Sequence, residues 1–182
     1  MSEVQNMNIE KADLGTIILL GTLHDFYEKL QMEGKNLHEV IDDIDGNGVS
    51  LLQKSLIARK FDIAKVLLEN NAKVNHVTNS GSNEFHCVAA NIRYEGGLEI
   101  AKILLDRGVS LVAKDKKYGN TALFTLCMEI FKVRSVEALE FLETCFERCQ
   151  EYDTCNKAGY SLRMLINERG TDNLKRIMEE KT

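Results

Sequence analysis

Asp43, Asp45 and Asn47 put oxygen-bearing side chains at every second position of the run Asp43-Ile44-Asp45-Gly46-Asn47-Gly48, the spacing with which a calcium loop opens. Such a loop closes on a bidentate glutamate at its twelfth position, which counted from Asp43 is Lys54, so calcium is not expected. Four of the five cysteines, Cys127, Cys145, Cys149 and Cys155, fall late in the chain, with Cys145 and Cys149 one helical turn apart. Thiols so grouped could hold a soft metal or register an oxidant. However, no Cys or His pair has zinc-finger spacing, and cysteine packs readily as a small core residue. The expectation is no metal ligand. An odd cysteine count without a CxxC pair points to a reduced, cytoplasmic setting. The alternative is a metal-binding or redox-sensing regulatory repeat protein that uses the C-terminal cysteines.

His24, His38 and His76 are scattered, and neither a nucleophile motif nor a phosphate-cradling glycine loop is present. The expectation is therefore no enzyme, no catalytic residue and no cofactor. Lys114, Lys116 and Lys117 with Tyr118 make a small basic and aromatic tip. Nucleic acid would need a broader basic face than this, so the tip is expected to be solvated or to join a protein interface.

The elements that must carry these residues are repeated. Phe61 to Asn75, FDIAKVLLENNAKVN, returns 37 residues later as Leu98 to Val112, LEIAKILLDRGVSLV, and Leu30, Gly34 and Leu37 stand 37 residues before Leu67, Asn71 and Val74. A period of this size marks supersecondary units that stack on one another. Five helix-turn-helix units are expected in one domain over 1–182: an N-terminal cap at about 9–41, then 42–77, 78–115, 116–154 and a C-terminal cap at 155–182. Residues 1–8 are polar and expected to fray.

In the first unit Leu14, Ile17 and Ile18 share one face, Gly21 breaks the pattern, and Phe26, Tyr27 and Leu30 form a second apolar face, with Phe26, Leu30 and the later Leu37 inward and Asp25, Glu28 and Lys29 in solvent. Ser50, Asn83, Thr121 and Ser161 are the expected caps of the first helices of the later units, and Ser50 with Gln53 has capping-box spacing. Leu52, Leu56, Ile63, Val66, Leu67 and Val74 are expected inside the second unit, and Phe85, Val88, Ala89, Ile100, Ile103 and Leu104 inside the third. Four extra residues near Asn91 to Gly97 lengthen the third unit, and the fourth has a longer helix pair without a closing glycine. The last helix, from Asp172 to about Glu180, is short and charged, as suits an end with no further neighbour.

With 44% hydrophobic residues the chain can bury a substantial core, and its longest aliphatic run, Ile17 to Leu20, is far too short to span a membrane. No basic residue precedes Lys11, which argues against a signal peptide. The net charge of -5 is uneven, since residues 1–45 hold ten acids against three lysines. That imbalance is compatible with a partner whose surface is basic and argues against nucleic acid.

Asp45, Gly48, Ser50, Leu52, Ile63, Leu67, Leu68, Ala72, Val74 and Asn75 match the pattern of the ankyrin repeat family, which the chain resembles over nearly its full length. Gly81, Phe85, His86, Ala89, Ile100, Leu104, Leu105 and Gly108 continue it in the third unit, and Gly119, Thr121, Ala122 and Leu123 in the fourth. The chain has no proline, so Leu51, Glu84, Ala122 and Leu162 stand where the family's first helix normally begins with one. The resemblance implies an all-α ankyrin solenoid with hairpin-like loops, and a non-catalytic scaffold that binds a protein partner through the tips and the concave helix face. One version is an inhibitor or immunity-type protein for a basic partner, monomeric on its own, with no membrane and no nucleic acid involved. The register names Asn47, Val49, Val77, Asn79, Ser82, Lys117, Tyr118, Asn120 and Tyr160 as partner-binding, with Ile57, Asn91, Asp115 and Met128 beside them.

Overall fold

The computed structural model describes residues 8–181. The fraying expected of the first residues therefore falls outside them except at Asn8, whose carbonyl accepts the Lys11 and Ala12 amides at 3.2 and 3.1 Å. Among the described residues the chain is all-helical, with eleven helices and no strand. They are α1 (Leu14–Leu20), α2 (Leu23–Met32), α3 (Leu37–Val40), α4 (Leu51–Ile57), α5 (Phe61–Glu69), α6 (Glu84–Ala89), α7 (Gly97–Asp106), α8 (Ala122–Val133), α9 (Val136–Arg148), α10 (Leu162–Arg169) and α11 (Asp172–Glu180).

The starts of the helices follow from their caps. Ser50, Asn83, Thr121 and Ser161 each accept an amide of the first turn, and Ser50 and Gln53 form the reciprocal pair that their spacing requires. Each such cap contributes about 1 kcal/mol. Leu51, Glu84, Ala122 and Leu162 are the first helical residues, so the chain starts these helices without a proline. Among the described residues five helix exits use the left-handed region, at Gly34, Arg59, Asn71, Gly108 and Arg134. Asn71 at φ 66° and Gly108 at φ 73° let the amides of Ala72 and Val109 turn back to the carbonyls of Leu67 and Leu104.

The helices are arranged in pairs, α1 with α2, α4 with α5, α6 with α7, α8 with α9 and α10 with α11. First helices pack in sequence, α1 on α4, α4 on α6, α6 on α8 and α8 on α10, and the second helices α5, α7, α9 and α11 do likewise. A single apolar core runs from Leu14 to Met178, with Phe26, Leu52, Ile63, Leu67, Phe85, Ile100, Leu104 and Phe146 buried. Each such side chain contributes roughly 1.5–3 kcal/mol. The extra residues of the third unit lie where expected, because three residues separate α4 from α5 and seven separate α6 from α7.

Several side chains differ from their expected places. Tyr27 is exposed, one residue around the helix from Phe26, which it meets edge-on at 6.0 Å. Lys29 is buried instead of solvated. Its ammonium donates to the Ile9 and Glu10 carbonyls at 3.2 and 3.0 Å and pairs with Glu33 at 3.1 Å, while its stem covers apolar surface. Val66, Val74 and Ile103 are only partly buried, each at the rim of a helix or turn.

Candidate functional site: the loop tips and the groove between them

Four loops precede α4, α6, α8 and α10, and three of them are closed by isolated antiparallel bridges, Ile44 to Ser50, Lys114 to Thr121 and Cys155 to Ser161. The loop before α6 is held by the Thr78 amide on the Ser82 carbonyl at 2.9 Å. Asp45 and Asp115 fold their own tips. Asp45 Oδ1 accepts the Asn47 and Val49 amides at 2.9 Å, and its other oxygen pairs with Lys54 at 2.8 Å. The calcium-like run is thus consumed by a lysine and two amides.

Successive tips are joined by backbone hydrogen bonds. The Asn79 amide donates to the Asn47 carbonyl at 3.1 Å, Lys116 to Ser80 at 2.8 Å and Lys157 to Tyr118 at 2.9 Å. This approach depends on glycine. At Gly81, with φ 84°, a Cβ would meet the Lys116 amide at 2.8 Å and the Lys114 carbonyl at 2.9 Å. Polar side chains below the tips bridge them as well: His76 Nε2 lies 2.7 Å from the Gly48 carbonyl and Asn156 Nδ2 donates to Asn120 Oδ1 at 2.8 Å, both reaching back to the preceding tip, while His86 Nε2 reaches forward to the Asn120 carbonyl at 3.3 Å.

A groove of about 710 Å³ opens between the second, third and fourth tips and α8. Of the residues named from sequence, it gathers Ser82, Lys117, Tyr118 and Asn120, together with Asp115 and Met128. Asn47, Val49, Val77 and Asn79 lie outside it, toward the earlier tips, and Val77 is 52% exposed. Tyr160 is also outside the groove, half-buried with its ring edge-on to Phe124 at 6.2 Å. Asn91 is a brace, its amide donating to the Leu56 and Ile57 carbonyls at 3.1 and 2.9 Å. Sequence reasoning did not name Phe124, Glu129 or Lys157 in the groove. The one available signal was helical spacing, since Phe124 and Met128 stand four apart on α8.

The electrostatics are set by burial and by the tips. Burial lowers the pKa of His86 below the usual imidazole value, which keeps the ring neutral. Glu84, the first residue of α6, is buried; this raises its pKa, although its carboxylate accepts the Asn75 and His76 amides, both at 3.1 Å. Cys87, Cys127, Cys145 and Cys149 are buried free thiols and Cys155 is exposed. Burial pushes Cys87 up to about 12 and raises Cys127 and Cys145 further above the usual thiol range, so these sulfurs stay protonated and are poor ligands and nucleophiles. Among the described residues no group of three or more His, Cys, Asp or Glu is placed to hold a metal ion, and no helix is long and apolar enough to cross a membrane.

No family model matches the chain. It is similar to an NAD-dependent deacetylase, sir2B, of Dictyostelium discoideum, with 28% identity over 134 residues, covering 68% of this chain. The chain spans 17% of the length of that curated relative.

The fourth pair closes differently from those before it. α9 ends in an extended Cys149, and the buried Tyr152 hydroxyl sits 2.8 Å from the carbonyls of both Phe146 and Cys149. A chain of cations also links the ends of the second helices: Arg107 donates to the Leu68 carbonyl, Arg148 to that of Leu105 at 3.1 Å, and Lys181 to that of Glu147. Each places positive charge at the carbonyl end of the preceding second helix, where the helix dipole favours it.

Proposed function

We propose that the chain is an ankyrin-repeat solenoid acting as a non-catalytic protein-interaction scaffold, with the loop tips and the groove above α8 as its binding surface. The observation that carries this reading is Tyr118, 56% exposed on a tip whose backbone is bonded to the tips on both sides, over a groove floored by Phe124 and Met128. An exposed, held tyrosine beside an apolar floor is the kind of anchor that dominates protein interfaces. The paired helices and the ladder of tips support the repeat architecture.

The similarity to a deacetylase covers a minor part of that protein, and the groove residues are engaged in shaping tips, so we assign this chain binding and not catalysis. Burial of Cys127, Cys145 and Cys149 works against the metal or redox alternative, which would leave it the exposed Cys155 alone. The acidic N-terminal segment supports a partner with a basic surface less than its charge alone implies, because Glu33, Asp42 and Asp45 already pair with lysines of this chain. The test is affinity capture from the source cell with the wild type and with Tyr118→Ala. Loss of partner recovery in the variant, at unchanged thermal stability, is expected; equal recovery overturns the assignment of the groove.

A further inference from the structure

The groove sits among cations that the fold leaves uncompensated. Lys114, Lys116, Lys117 and Lys157 lie on the third and fourth tips, and none of them takes part in an ion pair among the described residues. Lys114 donates to the Cys155 carbonyl at 3.2 Å, Lys157 donates to that of Lys116, and the Lys117 ammonium lies 4.8 Å from the centre of the Tyr118 ring. These contacts orient the ammonium groups without neutralising them.

Of the two carboxylates of the groove, Glu129 is paired with a lysine and Asp115 keeps its negative charge, so the four lysines of the tips still leave a net positive rim. Asp115 accepts the Tyr118 amide at 2.6 Å on one oxygen and the Asn120 amide at 2.9 Å on the other, and Glu129 pairs with Lys132 at 2.6 Å. The groove therefore offers free positive charge at its rim and apolar surface from Tyr118, Phe124 and Met128 below. This polarity is opposite to that of the N-terminal end, and charge complementarity of this kind selects partners and speeds their encounter.

We propose that the groove takes an extended protein segment in which an aromatic or long aliphatic side chain is flanked by aspartate or glutamate. The apolar side chain enters between Tyr118 and Met128, and the flanking carboxylates meet Lys117 and Lys157. This assignment rests on the protein-binding reading above and goes beyond it in fixing the sign of the bound segment.

The probes are three labelled hexapeptides in which leucine and phenylalanine are flanked by glutamate, by glutamine or by lysine, with a short oligothymidine as a fourth. Affinity is measured by fluorescence anisotropy at two salt concentrations. The acidic peptide is expected to bind at least tenfold more tightly than the glutamine and lysine peptides, to weaken with salt and to shift the amide resonances of residues 115–120. The double variant Lys117→Glu, Lys157→Glu, both positions being exposed, is expected to erase that preference while its circular dichroism remains unchanged. Equal binding of all three peptides overturns the charge assignment and leaves the protein-binding reading standing. Binding of none of them also overturns it, and capture by the wild type that is lost in Tyr118→Ala still judges the broader reading separately. Tighter binding of the oligothymidine than of the acidic peptide overturns the choice of a protein ligand.

Discussion

The second and third helix pairs end through backbone conformation, whereas the fourth ends through a side chain. Asn71 and Gly108 enter the left-handed region and satisfy their helix ends locally, while α9 runs to Arg148 and continues into an extended Cys149, with the Tyr152 hydroxyl set against the Phe146 and Cys149 carbonyls and Lys181 on that of Glu147. The fourth pair is also longer, with 12 and 13 residues in α8 and α9 against 7 and 9 in α4 and α5. The contrast teaches that similar helix pairs can be closed by different means: the shorter pairs turn out through the left-handed region, while the longer fourth pair, whose α8 carries Met128 and Glu129 beneath the tips, is closed by a tyrosine from the following loop.

Breaking the ladder between tips should have the largest effect. Gly81→Ala forces a Cβ into the backbone of the third tip at a left-handed φ, and a loss of about 3 kcal/mol is expected from urea unfolding. Tyr152→Phe takes the hydroxyl from the Cys149 carbonyl, while that of Phe146 keeps the Cys149 amide at 3.2 Å, and is expected to cost about 2 kcal/mol, the cost of one carbonyl left without its donor. Gly159→Ala, at φ 76° with open space around it, carries the backbone strain alone and is expected to lose about 1 kcal/mol. Equal losses at Gly81 and Gly159 would show that the contact between tips adds nothing.

The pH dependence separates the buried Glu84 from the partly buried His86, both on α6. The folded pKa of His86 lies below 6.5, so the unfolded chain takes up a proton first and stability falls as the pH drops from about 6.5 through the folded value. The folded pKa of Glu84 lies above 4.5, so its contribution has the opposite sign and stability falls as the pH rises from about 4.5 through the folded value. His86→Gln should flatten the first slope and Glu84→Gln the second in thermal melts from pH 7.5 to 4.5. The smallest effect is expected at the exposed Lys65–Glu99 pair, 2.7 Å apart, where Lys65→Ala should leave the melting temperature within error.

Much of the helical framework was legible because its signals are local. Ser50, Asn83, Thr121 and Ser161 declare helix starts by residue type, and the span from Phe85 to Leu104 revealed the lengthened turn of the third unit. The groove was legible in part, since Tyr118, Lys117 and Asn120 follow from register. Lys29 was not, because its burial depends on carbonyls about 20 positions earlier; Tyr152 was not, because a loop tyrosine gives no sign that it caps a helix. Glu84 shows the same limit. At the first position of a helix a glutamate reads as a favourable surface charge, and only the packing of the preceding loop over it reveals that it is buried.

The bonded tips have one further consequence, for the kinetics of encounter. Four loops tied by backbone hydrogen bonds give up their motional freedom once, during folding, so under the proposed binding role a partner would meet loops that are already ordered and have little entropy of immobilisation to overcome. Association at this face should then resemble the docking of two rigid bodies, and differences in affinity between variants should appear in how long the complex lasts more than in how fast it forms.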